Sequence, residues 1–310
     1  MPHDHAAPTK GNRLGLSVGL TLVFVAGEAV AGYLSNSLAL LSDAGHNFAD
    51  AIALGLSWYA ARLARRPADA RRTFGYHRAG ILAALANAAG LVVIALFIFW
   101  EAAQRFRNPE PVQSGVMIGV ALAAVAVNVL ISVWLHAGAK SDLNVRSAYV
   151  HMLGDALASV GVAVAGVVVW ATGESVADPV VSVVIGLLIL WSSWGILNEA
   201  VAVLMEGVPA GLDMTALEAA LAGVPGVLNV HHLHVWAVSS GVVACSCHLV
   251  VAEQSVRDGQ QVVRAAAEML RDRFRVAHTT IQVEVEGCGP NDLYATPRPV
   301  AGGHEGHDHI

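Results

Sequence analysis

"SDAGHNFADAIALGLSWYAA", residues 42–61, is an apolar helical pattern interrupted by three ionisable side chains, Asp43, His46 and Asp50. Each residue advances about 100° around an α-helix, so these three lie within about 60° of one another while Ile52, Leu56 and Trp58 take other directions. The sequence on either side decides whether that polar stripe faces water or something buried.

The surroundings are apolar. The 310-residue chain is 55% hydrophobic and 14% charged, with a mean hydropathy of +0.56, a balance that suits a membrane. Apolar runs near 14–34, 38–61, 79–104, 114–137, 148–171 and 179–205 are each long enough, at about 1.5 Å per residue, to cross a hydrocarbon core about 30 Å thick. The expectation is six transmembrane helices. The first run carries Glu28, lacks a small-residue cleavage site and leads straight into the second, so it reads as a retained span.

Orientation follows from basic residues, which are depleted from translocated loops. Lys10 and Arg13 precede the first span, Arg62, Arg65, Arg66, Arg71, Arg72 and Arg78 follow the second, and Lys140 and Arg146 follow the fourth; the other side holds Arg105 and Arg107. Both termini are therefore expected in the cytoplasm. A net charge of −6, with no Lys/Arg-rich tract or aromatic-basic patch, argues against a nucleic-acid partner.

Beyond residue 207 the pattern changes. Residues 213–223 and 258–274 have helical spacing, each opened by an Asp, whereas 227–238, 241–251 and 279–286 read as strands. The order is αββαβ, a small two-layer α+β domain whose modest core favours dimerisation. Cys245, Cys247 and Cys288 are too few and too badly spaced for a disulfide framework, and a cytoplasmic setting keeps them reduced.

An ionisable group at mid-membrane costs roughly 2.5–3.5 kcal/mol on insertion scales, so the stripe on the second span needs partners. The fifth span supplies them in "YVHMLGDALASVG", residues 149–161, where His151 and Asp155 are again four apart. Two His-x-x-x-Asp faces that meet present two imidazole nitrogens and two carboxylates, a set that tetrahedral Zn²⁺ accepts. The plainer alternative is a pair of i,i+4 hydrogen bonds that glue helices together. Asp43, nearer the helix start, is structural or part of a water path; Glu28, Asn87 and Asn128 are solitary interhelical hydrogen-bonding groups.

Several longer stretches carry a family resemblance: "SLALLSDAGHNFADAIAL" (37–54), "RRTFGYHRAGILAALANA" (71–88), "HMLGDALASVGV" (151–162), "ADPVVSVVIGLLI" (177–189) and "VHHLHVWAV" (230–238). In this order and over nearly the whole length the chain resembles the cation diffusion facilitator family, in its zinc-transporting branch. The resemblance implies six transmembrane helices at 14–206, a cytoplasmic ferredoxin-like domain at 207–287 and a homodimer, flanked by a His-containing tail (1–13) and a His-rich one (288–310). It implies His46, Asp50, His151 and Asp155 as the transport-site ligands. It adds His77 as an interfacial metal ligand, and His231, His248, His278 and Glu284 as ligands of a structural or regulatory Zn²⁺ in the soluble domain. Strand alternation complicates this last set, since it places His231 on one side with Leu233 and Val235, opposite His232, His234 and Trp236. The termini, "HDH" (3–5) and "HEGHDH" (304–309), are metal-attracting tails.

The implied function is divalent-metal efflux, most simply of Zn²⁺, exchanged for protons across the bacterial inner membrane, with Cd²⁺, Co²⁺ or Mn²⁺ as alternative cargo. A membrane-bound metal sensor is the competing class. An enzyme is disfavoured: no His-Glu-x-x-His occurs, and four protein ligands leave no coordination position for water. No catalytic cofactor is expected.

Overall fold

The computed structural model describes residues 10–136, 143–239, 241–287 and 293–294, with backbone alone at 10–21, 143–145, 147 and 148. Both terminal His clusters, Cys288 and Lys140 lie outside the described residues. The chain divides into two compact units, residues 1–200 and 201–310.

The first unit is helical: α1 (Lys10–Ser35), α2 (Leu38–Ala64), α3 (Ala79–Arg107), α4 (Ser114–His136), α5 (Leu143–Thr172) and the start of α6 (Ala177–Leu204). Among the described residues, Ala79–Arg107, Ser114–His136, Tyr149–Thr172 and Ala177–Leu204 are long and apolar enough to cross a membrane. The described apolar part of α1 is the shorter Leu22–Ser35, and α2 is diluted by Asp43, His46, Asp50 and Arg62. Trp58, Trp100, Trp134, Trp170 and Trp191 are all exposed, as expected for large apolar side chains that meet lipid rather than water.

Small residues allow these helices to approach closely. A methyl group at Gly166 of α5 would meet Ile118 Cγ1 of α4 at 2.8 Å, and one at Gly186 of α6 would meet Phe99 Cε1 of α3 at 2.7 Å. The α1–α2 corner is tight, with Asn36 in the left-handed region (φ 54°) and Ser37 capping α2 by accepting from the Leu40 amide.

That corner is held by a charge from a distant helix. Asp178, in the first turn of α6 and fully buried, accepts from Ser37 Oγ at 2.6 Å, from the Leu38 amide at 2.7 Å and from the Ala39 amide at 3.2 Å. The orphan amides and positive end of α2 are thereby satisfied by a carboxylate, an arrangement that favours negative charge. Arg105 completes the cluster, donating to the Asn36 carbonyl at 2.6 Å and to Asp178 at 3.5 Å.

The second unit holds α7 (Met214–Ala222), β1 (Val227–Ser239), β2 (Val242–Val251), α8 (Val256–Phe274) and β3 (Val276–Glu284). The strands form one sheet in the order β1-β2-β3, antiparallel between β1 and β2 and parallel between β2 and β3. The core lies between this sheet and the two helices, with Leu217, Leu221, Leu233, Leu249 and Leu270 essentially inaccessible; each such side chain contributes about 1.5–3 kcal/mol of hydrophobic stabilisation. Cys245 and Cys247 are free thiols within that core.

Two boundaries differ from the sequence reading. Ser255, not Asp258, caps α8: its hydroxyl accepts from the Asp258 amide and donates to the Asp258 carboxylate at 2.6 Å, so the helix begins at Val256. The last strand starts earlier, at Val276, because Arg275 ends α8 in the left-handed conformation (φ 56°) and the chain turns at once into the sheet.

Candidate metal centres

In the first unit, α2 and α5 bring His46, Asp50, His151 and Asp155 together. His46 Nε2 lies 3.6 Å from both Asp50 Oδ2 and Asp155 Oδ1. His151 Nε2 lies 3.1 Å from Asp50 Oδ2 and 3.6 Å from Asp155 Oδ2. Each imidazole thus faces a carboxylate of its own helix and one of the other helix. The plainer alternative, two self-satisfied i,i+4 pairs, does not describe this crossed arrangement.

The spacing suits a metal. Ligands about 2.0 Å from a tetrahedral ion stand about 3.3 Å from one another, within the observed range of 3.1–3.6 Å. The two rings are edge-to-face with centroids 6.0 Å apart. Among the described residues, His46 Nδ1 is a buried atom with no hydrogen-bond partner. Asp155 is buried, whereas His151 has 44% of its side chain exposed; the site is closed on one side and open on the other.

Asp43 shares the stripe but not the site. Its carboxylate is buried and lies 2.9 Å from Ser159 Oγ of α5, which is also 2.9 Å from the Asp155 carbonyl. Glu28 makes an interhelical hydrogen bond, as expected: it is buried and accepts from Asn47 Nδ2 at 3.3 Å.

In the second unit, His231, His248 and Glu284 form a compact group on three adjacent strands. His231 Nε2 is 3.2 Å from Glu284 Oε2, and His248 Nδ1 is 2.8 Å from Glu284 Oε1. Gln282 Nε2 donates to Glu284 Oε1 at 2.7 Å, fixing the carboxylate from behind. Desolvation holds the His248 imidazole below its ordinary value despite the nearby Glu284 charge, so its neutral, ligating form is favoured.

The alternation expected of β1 is broken at this point. His231 pairs directly with His248, off the core face, while Val230, Leu233 and Val235 all join the core. His231 therefore does not share a side with Leu233 and Val235. The physical reason is a β-bulge: the register shifts between His231 and His234, and His232 sits at φ 50°. One extra residue reverses the phase of the strand, so that both flanking segments keep their apolar residues inward. His232 also closes on the group, with its ring centroid 4.7 Å from that of His248. No residue type in "VHHLHVWAV" announces such a bulge, since a histidine tolerates positive φ better than its β-branched neighbours but adopts it only where tertiary packing demands it.

His278 and His77 stand elsewhere. His278 is exposed and opposite Ala244, six residues, or about 20 Å of strand, from Glu284. His77 is exposed in the loop between α2 and α3, where Asp69 accepts from the Tyr76 hydroxyl at 2.9 Å and Arg72 stacks over the Tyr76 ring. The sequence reading includes Asp178 only within a motif; its one local signal is an Asp-Pro pair at the start of an apolar run.

Comparison with known proteins places both units. The profile of the cation efflux transmembrane domain matches residues 14–205, and that of the cation efflux protein cytoplasmic domain matches 209–286. The zinc transporter ZitB of Shigella flexneri is 40% identical over 312 aligned positions, covering 100% of this chain and 96% of its own length. A cadmium, cobalt and zinc/H(+)-K(+) antiporter of Bacillus subtilis is 36% identical, covering 92% of this chain and 93% of its own. Among solved structures, the metal-bound C-terminal domain of the CzcD transporter of Cupriavidus metallidurans aligns at 34% identity over 24% of this chain and 99% of its own, with a TM-score of 0.22.

Proposed function

The chain belongs to the cation diffusion facilitator family of integral membrane transporters, and from that premise we propose that it exports Zn²⁺ from the bacterial cytoplasm in exchange for protons, with His46, Asp50, His151 and Asp155 holding the ion in transit. The observation that carries this reading is the crossed geometry of the four side chains, each imidazole 3.1–3.6 Å from both carboxylates. Two nitrogens and two carboxylate oxygens form a donor set that zinc favours and that manganese, a harder ion, favours less. Cadmium and cobalt are expected as weaker cargo.

Proton exchange follows from the ligands themselves. Imidazole binds a metal only when neutral, and carboxylate only when ionised, so a proton and a metal compete for the same lone pairs. With an ordinary imidazole pKa of about 6.5, this competition falls within the range of cellular pH. The site loads zinc on the cytoplasmic side, the helices rock, and protons from the opposite side displace the ion. The ligands come from two different helices, so a modest change in their spacing destroys the coordination set without unfolding either helix.

In this reading α1 and α2 are the remaining two of six spans, both termini are cytoplasmic, and the αββαβ unit is a ferredoxin-like domain that pairs two chains. The His231–His248–Glu284 group binds a structural or regulatory zinc, His278 and His77 serve as ligands elsewhere on the dimer or at the membrane edge, and the His-rich tails collect metal. The test is zinc uptake into inside-out vesicles. Uptake is expected to stop when the pH gradient and membrane potential are collapsed; persistence would remove proton coupling. Unimpaired uptake by Asp155→Asn would remove the site.

A further inference from the structure

The proposed cycle uses four ionisable groups of the transmembrane unit, yet two more carboxyls are buried beside them. Glu28 of α1 and Asp43 of α2 are each only 1% exposed, and their carboxyls lie within hydrogen-bonding reach of each other. Glu28 Oε1 and Asp43 Oδ1 are buried acceptors to which no group among the described residues donates. The surrounding hydrogen bonds reach only the other oxygens: Asn47 Nδ2 approaches Glu28 Oε2 at 3.3 Å, and Ser159 Oγ approaches Asp43 Oδ2 at 2.9 Å. Among the described residues, the charged or titratable groups that act on the pair from α5 and α2 are Asp155 and His46.

Two carboxylates in contact and out of water repel each other when both are ionised; one proton between them removes the repulsion and supplies the missing donor. We propose that Glu28 and Asp43 form a proton-binding site separate from the metal ligands, holding one shared proton while the metal site is empty and releasing it when zinc binds. The link is electrostatic. The negative charge of Asp155 opposes ionisation of the pair, and a dication on Asp155 cancels that charge. Ser159 fixes the geometry of this link, because its hydroxyl sits 2.9 Å from both Asp43 Oδ2 and the Asp155 carbonyl. The inference rests on the zinc reading of the neighbouring site and adds one proton to those that the ligands themselves surrender.

The experiment uses the full-length protein in lipid nanodiscs. Zinc is titrated calorimetrically in two buffers of different ionisation enthalpy, which yields protons released per zinc, and infrared difference spectra are recorded with and without zinc. Glu28→Gln, which leaves all four ligands in place, is expected to bind zinc within about threefold of wild type while releasing about one proton fewer. Wild type is expected to lose a protonated-carboxyl band on adding zinc, and Glu28→Gln to lack that change; Asp43→Asn serves should Glu28→Gln fail to fold. Equal proton counts in wild type and variant, or a carboxyl band that zinc leaves intact, overturn the proposal. A wild type that binds no zinc removes the transport reading as well, whereas one that binds zinc and keeps the band removes only this inference.

Discussion

The two candidate metal centres are built from the same chemistry on different foundations. In the soluble unit His231, His248 and Glu284 stand on adjacent strands of one sheet, tied by backbone hydrogen bonds and backed by a packed core. In the transmembrane unit the candidate ligands are divided between α2 and α5, and the most open of them, His151, is nearly half exposed. A sheet cannot separate its neighbouring strands without losing ladder bonds, whereas two helices can shift by an ångström or two and keep every internal bond. The first foundation suits an ion that stays and the second an ion that must leave.

The largest effect expected from breaking this contrast is at Asp155, the buried member of the helical site. Asp155→Asn removes a charge that faces both imidazoles and should lower zinc flux by more than about 100-fold, measured as initial uptake into inside-out vesicles. Glu284→Gln makes the matching change in the sheet: zinc affinity there should fall by about 10–100-fold, read by chelator competition, with flux at saturating zinc little altered. If the second substitution abolishes flux as fully as the first, the distinction between transit and resident ions fails.

His46→Asp sharpens the comparison from the side of selectivity. Exchanging an imidazole for a carboxylate hardens the helical donor set, and the preference for zinc over manganese should drop by about 10-fold, measured with both ions in proteoliposomes. Ser37→Ala tests how firmly the helical foundation is anchored. Losing this cap should cost about 1 kcal/mol, seen as a lower thermal midpoint with zinc binding at the four ligands retained. The smallest effect concerns pH at the sheet. Because the His248 pKa is lowered, proton competition begins only below the usual imidazole range near 6.5, and its share of the loss in zinc affinity between pH 7.5 and 6.0 should be less than about fourfold. The sign is fixed: affinity falls as pH falls, and a rise on acidification would contradict the assignment.

The meeting of His46, Asp50, His151 and Asp155 was legible because its signal is local and costly. A histidine and an aspartate four residues apart in an apolar run are hard to place anywhere except at a buried polar site, and two such runs point at each other. The partners of Glu28 were not legible, since contact between the first two spans depends on which faces turn inward, and the weak hydrophobic asymmetry of these helices does not specify that. Asp178 was missed for a related reason. A carboxylate that caps a helix about 140 positions earlier in the chain leaves no trace in local spacing. In the soluble domain the elements and their order were readable from period, but the phase of β1 was not, because one bulged histidine inverts it.

The clamp at Asp178 constrains how the bundle is able to work. Three hydrogen bonds from the first turn of α2 end on one side chain of α6, so these two helices share a pivot at that end and any tilt of one pulls on the other. His46 and Asp50 lie more than two turns farther along α2, so any small swing about this anchor would become a larger displacement at these candidate ligands, as at the far end of a lever whose fulcrum is a single carboxylate.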